Sequence, residues 1–256
     1  MSTVQSRAVE HLLHATAVAE ARHFWFRGFR TFVEPLVERA TRGRTRPRIL
    51  DCGCGTGANV AWLGRYGEAY GFDLTPAGLA IGRARGQHRL ARASVDAAPF
   101  PAEAFDLVTS FDVLYALETP VERAAVAEMC RLTRPGGFVI VNVAAMDVLH
   151  GDHSVLSHEI RRYSRDSLSR LLSGAGFAIV RLTYTNATLF LPMLAVRAWQ
   201  RWRGLPSEEY AQQDVQVPVA PVNLALTGLL KAESMWLRAF DNPFGSSLLC
   251  LAKKPE

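Results

Sequence analysis

The chain has 256 residues, 49 % of them hydrophobic, which suits one sizeable domain or a core domain with an added lid. Its net charge is +5, but only three of the 29 basic residues are lysines (Lys231, Lys253 and Lys254), and the arginines are spread along the chain rather than gathered into the basic stripe of a nucleic-acid module. Four cysteines are too few for a disulfide framework, the opening "MSTVQSRAVEHLLHA" lacks the pattern of a leader, and no run of about 18 apolar residues offers a membrane span, so the expectation is a cytoplasmic protein.

Residues 3–40 carry apolar side chains at helical spacing and predict a helix, broken by "TRGRTRP". Strands and helices then alternate. "RILDCG" predicts a strand and "NVAWLGRYG" a helix ended by Gly67. "EAYGFDL" predicts a strand and "PAGLAIGRARG" a helix opened by Pro76 and closed by Gly86. "LARASVDA" is a weak strand, "AFDLVTSFDVLYAL" contains a buried one, and "TPVERAAVAEMCRLTRPGG" is a helix with Thr119 as N-cap and Pro120 at its first position. "FVIVNVA" is strongly strand-like, "SRDSLSRLLSGAGF" is a helix, and "AIVRLTYTN" and "SSLLCLAKK" are the last two strands. This alternation predicts a parallel sheet covered on both faces. The division expected is a helical cap over 1–45, a core over 46–185, a helical lid over 186–245 and a final core strand over 246–256.

"RILDCGCGTGAN" is the densest stretch. Cys52 and Cys54 alternate along a strand, so their side chains should part. C-x-C has neither the spacer of a redox pair nor a second pair to complete a zinc site, so no metal is expected. Gly53, Gly55 and Gly57 permit positive φ and close approach of a ligand, and the helix that follows offers its amide groups. The spacing Gly53-x-Gly55-x-x-Ala58, with Asp73 about 20 residues on, also satisfies a dinucleotide fingerprint. Asp51 weighs against a pyrophosphate, which it would repel, and suits a cofactor bearing an ammonium and a sulfonium. Asp96, after the third strand, suits the exocyclic amine of an adenine.

Together these features resemble the class I S-adenosylmethionine-dependent methyltransferases from about Arg48 to Lys254. "ILDCGCGTG" resembles the first motif of that family, Asp73 its ribose-binding acid and Asp96-Ala97 its adenine pair. "FDLVTSFDVLYAL" and "LTRPGGFVIV" resemble its fourth- and fifth-strand motifs. The resemblance implies a Rossmann-like α/β fold with seven strands in the order 3-2-1-4-5-7-6, the last antiparallel. It implies S-adenosylmethionine as cofactor, held by Asp51, Gly53, Gly55, Asn59, Asp73, Leu74, Asp96, Ala97 and Phe111.

Two further stretches concern the acceptor. "HGDHSVLSHEIRRY" resembles a loop of a bacterial subgroup of that family and carries His150, His153 and His158, with Arg161, Arg162 and Tyr163 behind them. His153 is the candidate general base, while the arginines and Tyr163 suit a loop held by ion pairs. "EARHFWFRGFR" resembles an N-terminal signature of the same subgroup. It offers Trp25 as an aromatic face for the sulfonium and Arg30 for a carboxylate. Many relatives have His where Ala116 stands, which leaves Tyr115 as a candidate pocket residue. The aromatic lid suits an apolar small molecule, with contact to a membrane surface as the alternative. The function implied is methyl transfer to a small, partly apolar acceptor in specialised or lipid metabolism, with oxygen favoured over carbon or nitrogen. An NAD-dependent oxidoreductase, and an S-adenosylmethionine-binding protein without methyl transfer, are the alternatives.

Overall fold

The computed structural model describes residues 16–149, 159–203 and 217–256. Its centre is a seven-stranded sheet: β1 (Arg48–Cys52), β2 (Glu68–Asp73), β3 (Leu90–Arg92), β4 (Phe105–Phe111), β5 (Thr133–Ala144), β6 (Ala178–Thr185) and β7 (Ser247–Lys253). The strand order is β3-β2-β1-β4-β5-β7-β6, and β7 runs antiparallel to both neighbours. The expected order and the reversed last strand are therefore present.

The period of two in the strands builds two separate cores. Leu50, Val108, Val139, Val141 and Cys250 face one side, under α4 (Thr119–Leu132) and α5 (Arg165–Gly174). Ile49, Leu107, Ile140, Leu249 and Leu251 face the other, under α1 (Phe24–Thr41), α2 (Ala58–Leu63) and α3 (Pro76–Ala84). Every residue of β4 is buried, as expected for a central strand covered on both faces. The alternation also separates the neighbouring cysteines, Cys52 into the first core and Cys54 into the second. Cys250 is buried, whereas Cys130 is half-buried.

Between β6 and β7 lie α6 (Phe190–Arg203) and α7 (Ala220–Trp236). Helix α7 packs against α1 at Gly28, where an added Cβ would lie only 2.2 Å from Leu230 Cδ1. Glu233, buried in α7, accepts from the backbone amides of Ala187 (2.8 Å) and Thr188 (3.0 Å) and from the Thr188 hydroxyl (2.6 Å). It also accepts from Asn242 Nδ2 at 2.9 Å, so one carboxylate ties down both ends of the segment between β6 and β7.

Several boundaries differ from the sequence expectation. The N-terminal helix is interrupted: residues 16–19 are helical, the chain turns, and α1 starts afresh where His23 Nδ1 accepts from the amide of Trp25. Helix α2 stops at Leu63, and Gly67 instead permits close packing, since its Cβ would lie 2.1 Å from Pro47 O. Glu118 takes the N-cap of α4, with Thr119 already inside the helix. The Pro-Gly-Gly stretch is a bulge inside β5 rather than the end of the preceding helix; Phe105 pairs with Thr133 and Leu107 with Phe138, and Gly136 absorbs the excess chain at φ +70°. Helix α5 opens with a capping box between Ser164 and Ser167. None of the described helices is long and apolar enough to cross a membrane.

Candidate active site

Parallel sheets bind ligands beyond the carboxyl ends of their strands, where the strand order reverses. Here that point lies between β1 and β4. The loop after β1 has Gly53, Gly55 and Gly57 at φ values of +78°, +53° and +74°. Gly53 is indispensable in a second way, because its Cβ would stand 2.4 Å from Val113 Cγ2 in the loop after β4. Three glycines that the sequence reading passed over seat this loop on its neighbours. An added Cβ on Gly71 would lie 2.9 Å from Cys54 Sγ, one on Gly78 2.7 Å from Gly55 O, and one on Gly82 2.8 Å from Thr56 O. The i, i+4 spacing of Gly78 and Gly82 in "PAGLAIGRA" was the available signal: a helix face stripped of side chains.

The carboxylates differ in setting. Asp51 is enclosed, 1 % exposed, and accepts from the Thr109 hydroxyl at 2.7 Å. Burial pushes its pKa up to about 7, the Thr109 hydrogen bond opposes this, and the Asp73 charge adds to it. Its negative charge reaches a ligand through the loop rather than by contact. Asp73 accepts from the amide of Gly55 and from the amide of Thr75, each at 2.8 Å. It thus braces the glycine loop while each oxygen keeps a free lone pair. Leu74 is exposed beside it. Asp96 and Ala97 lie in an exposed turn closed by a bond from Ala97 N to Ser94 O (3.2 Å), with the Ser94 hydroxyl on the Asp96 carboxylate. Asn59 is half-buried in the first turn of α2.

Helix α1 brings its own residues to this loop. Arg30 Nη2 lies 3.5 Å from Ala58 O, and its Nε is buried without a hydrogen-bond partner. Burial lowers the pKa of this guanidinium, with Glu20 opposing. An orphaned buried cation donor is rare and marks a place where an anionic group fits. Trp25 and Phe29 share a helix face, and the Phe29 ring meets Phe111 edge-on at 5.0 Å. Ahead of α1, Glu20 accepts from the Thr56 hydroxyl (2.7 Å) and pairs with Arg85, so the N-terminal segment is latched onto the glycine loop and α3.

On the far side of the switch point stands Asp112, which the sequence reading did not single out. It is held at φ +59°, a conformation that costs a non-glycine residue free energy. Its amide donates to Asn142 O (3.0 Å) and its carboxylate accepts from Asn142 Nδ2 (2.8 Å). Surrounding protein pushes its pKa up to about 7, opposed by the Asn142 hydrogen bond and reinforced by Glu159. The residue is nonetheless exposed to solvent, which weakens that push. The signal in the sequence was an acid placed directly after a fully buried strand.

Tyr115 is buried in the first core, within the turn after β4, and its carbonyl accepts from the amide of Ile160. Arg161 binds Glu122 (2.6 Å) and Leu117 O (2.7 Å), Arg162 binds Glu159 and Ala145 O (2.8 Å), and the Tyr163 hydroxyl donates to Glu122. These residues lock the chain behind the histidine loop. His150, His153 and His158 lie outside the described residues. Among the described residues, no cluster of histidine, cysteine and acidic side chains could hold a metal ion.

A family model described as "Methyltransferase domain" matches residues 50–141, from β1 into β5. Residues 50–141 therefore carry a methyltransferase domain, and the seven-stranded order is the one the resemblance to class I S-adenosylmethionine-dependent methyltransferases implies. The strand order agrees, since dinucleotide-binding folds of order 3-2-1-4-5-6 lack the antiparallel strand inserted before the last one. The chain is 34 % identical over 101 residues to a malonyl-[acyl-carrier protein] O-methyltransferase of Serratia marcescens, covering 38 % of each chain. It is 31 % identical over 147 residues to the O-methyltransferase cnsE of Penicillium expansum, covering 53 % of each. The chain thus spans about half or less of the length of these curated relatives. Among solved structures, the [4+2]-cyclase SpnF superposes with a TM-score of 0.55 at 21 % identity, covering 88 % of this chain and 80 % of that one.

The sequence resemblance implies S-adenosylmethionine as the cofactor of such a domain. The residues fit its methionine end: a carboxylate would satisfy the orphaned Nε of Arg30, and the negative field of Asp51 favours an ammonium and a sulfonium.

Proposed function

We propose that the protein transfers the methyl group of S-adenosylmethionine to a small, partly apolar acceptor in a biosynthetic pathway, with an oxygen atom as the favoured target. The observation that carries this reading is the pairing, beside one glycine loop, of the buried and unsatisfied Nε of Arg30 with the buried carboxylate of Asp51, which together suit a zwitterion that is also a sulfonium. The names of the two relatives support oxygen.

In this reading Arg30 holds the cofactor carboxylate, and Gly53, Gly55 and Asn59 shape the cradle. Asp73 and Leu74 meet the ribose, Asp96 and Ala97 the adenine, and Phe111 and Trp25 wall the sulfonium. The cofactor supplies a methyl group already activated by positive charge, so the protein's task is alignment and exclusion of water. Asp112 stands where the acceptor must arrive and takes the proton that the acceptor loses. His153 serves as a second proton acceptor, and Tyr115 backs the wall. Residues 1–45 cap the core of 46–185, residues 186–245 form the lid over the acceptor, and 246–256 complete the sheet. Exposed Leu191, Trp202, Trp236 and Phe240 on that lid suit an apolar acceptor or a membrane surface that supplies one.

Calorimetry with S-adenosylmethionine and with NAD tests the cofactor, and a panel of hydroxylated acceptors with methyl-labelled cofactor tests the transfer. Micromolar S-adenosylmethionine binding and labelled product are expected. Tight NAD binding without S-adenosylmethionine binding would make the protein an oxidoreductase. Cofactor binding with no S-adenosylhomocysteine released from any acceptor would make it a binding protein, or an enzyme of another reaction on this fold.

A further inference from the structure

A cavity of about 590 Å³ lies away from the switch point, between the outer faces of α4 and α5. Each helix lines it with one stripe. Ser167, Arg170, Leu171 and Gly174 recur at i, i+3, i+4 and i+7, facing Thr119, Glu122, Arg123 and Ala127 of α4. The bulky apolar residues of both helices, such as Val126, Met129, Leu168 and Leu172, point into the first core instead. Apart from Leu171, what remains on the facing stripes is small, polar or charged. Ala127, Gly174 and Ala175 leave space that a larger side chain would fill, and nothing lies within 4 Å of a Cβ added at Gly174.

The charges in this groove do not cancel. Arg161 is neutralised by Glu122, whose other oxygen takes the Tyr163 hydroxyl, and Arg162 is neutralised by Glu159. Glu122 is therefore spent. Arg123 and Arg170 are exposed, line the same cavity from opposite helices, and have no ion pair or hydrogen bond among the described residues. The N-terminus of α4, a 14-residue helix whose N-cap Glu118 makes no side-chain cap bond, opens beside Thr119 at one end of the groove and adds its positive dipole. The floor, with Ala127, Leu171 and Ala175, is apolar.

We propose that this groove binds a small organic phosphate, a phosphate monoester with a compact apolar body. A dianion matches the two unpaired guanidinium groups, and guanidinium forks grip phosphate oxygens bidentately. The apolar floor takes the organic part, and the volume lies in the range of small-molecule sites. The site is separate from the cofactor cleft but joined to its acceptor side. Arg161 links the groove floor to Leu117 O after β4, and Arg162 links it to Ala145 O after β5.

Titration calorimetry with phenyl phosphate tests the proposal, with inorganic phosphate as the probe lacking the apolar body. Phenyl phosphate should bind at least tenfold more tightly than inorganic phosphate. The double variant Arg123→Ala/Arg170→Ala should weaken it at least tenfold while leaving S-adenosylmethionine affinity unchanged. Ala127→Leu, which fills the groove without changing charge, should weaken it as well. The variant Arg39→Ala/Arg42→Ala removes the same charge from exposed sites on the other face and should leave binding intact. No binding of phenyl phosphate, or equal loss in both double variants, overturns the proposal. Sedimentation with vesicles containing phosphatidic acid separates two sources of the phosphate: capture that depends on Arg123 and Arg170 assigns a lipid headgroup, and no capture assigns a soluble ester.

Discussion

The two edges of the sheet treat their acids in opposite ways. At the amino edge, Asp106 is buried and fully served: Arg44 and Arg134 reach it at 2.5 and 2.8 Å, and the amide of Arg48 donates at 2.8 Å. At the carboxyl edge, Asp51 has one hydroxyl and Asp112 one amide partner pair with Asn142, both are pushed toward neutral pKa values, and the nearby Arg30 keeps an unsatisfied Nε. One edge satisfies its charges within the protein. The other leaves them incomplete, which costs stability and is what a site for a charged ligand requires.

The largest effect expected from breaking this contrast is at the amino edge. Asp106→Ala leaves Arg44 and Arg134 facing each other without their acid and the amide of Arg48 unpaired. A loss of about 3 kcal/mol follows, moderated by the partial exposure of both arginines. Urea denaturation measures it, and cofactor affinity of the folded variant should not change. A change in affinity without a change in stability would mean that the two edges do not divide these tasks.

Glu233 is the exception at the carboxyl edge, since all its partners are supplied by the protein. Glu233→Gln turns an acceptor into a donor against the amide and hydroxyl of Thr188, for a cost of about 2 kcal/mol. Faster hydrogen exchange at the amides of Ala187 and Thr188 locates the loss. Unaltered exchange there would show that the carboxylate does not anchor this segment.

Asp51→Asn sharpens the comparison from the other side. It removes an incompletely compensated buried charge, so the ligand-free protein should be as stable as the wild type or more so. Cofactor affinity should fall about tenfold, or ~1.4 kcal/mol, because the carboxylate acts through the loop rather than by contact. The pH dependence carries the same information. A carboxyl group whose folded pKa stands above its unfolded value near 4 destabilises the fold as pH rises from about 4 to about 7, where it ionises. A cation favours the ionised form, so affinity for S-adenosylmethionine should rise with pH up to about 7 and then level off. In Asp51→Asn that rise should shrink to what Asp112 contributes; a rise of undiminished size would assign it elsewhere.

The sheet was legible because the evidence of period lies in the side chains themselves. Apolar runs bounded by Gly and Pro mark β1, β2, β4 and β5, and Asp73 stands where β2 ends. Residues whose meaning depends on a distant partner were less legible. Asp112 reads as one more acid until Asn142 is seen beside it across the β4–β5 pair. Gly71 and Gly78 read as weak strand and helix positions until the glycine loop is seen lying on them. The break before α1 depends on His23 turning back to its own backbone, which competes with helix continuation at a position where apolar spacing is uninformative.

The smallest effect expected concerns Cys52, which follows Asp51 on β1. The thiol is buried, and burial together with the charges of Asp51 and Glu128 pushes its pKa well above the usual range, so the reactive thiolate is suppressed near neutral pH. Cys52→Ala should cost about 1 kcal/mol through lost packing in the first core and leave cofactor affinity unchanged. In the native protein, Cys52 and Cys54 should label with a thiol reagent only as fast as the fold opens, and both should label at once in denaturant. Rapid labelling of Cys52 in the folded state would place a reactive thiol at the end of β1 and reopen a chemical role for the C-x-C pair. Slow labelling leaves the two cysteines as the small side chains that fill opposite faces of the sheet beneath the glycine loop.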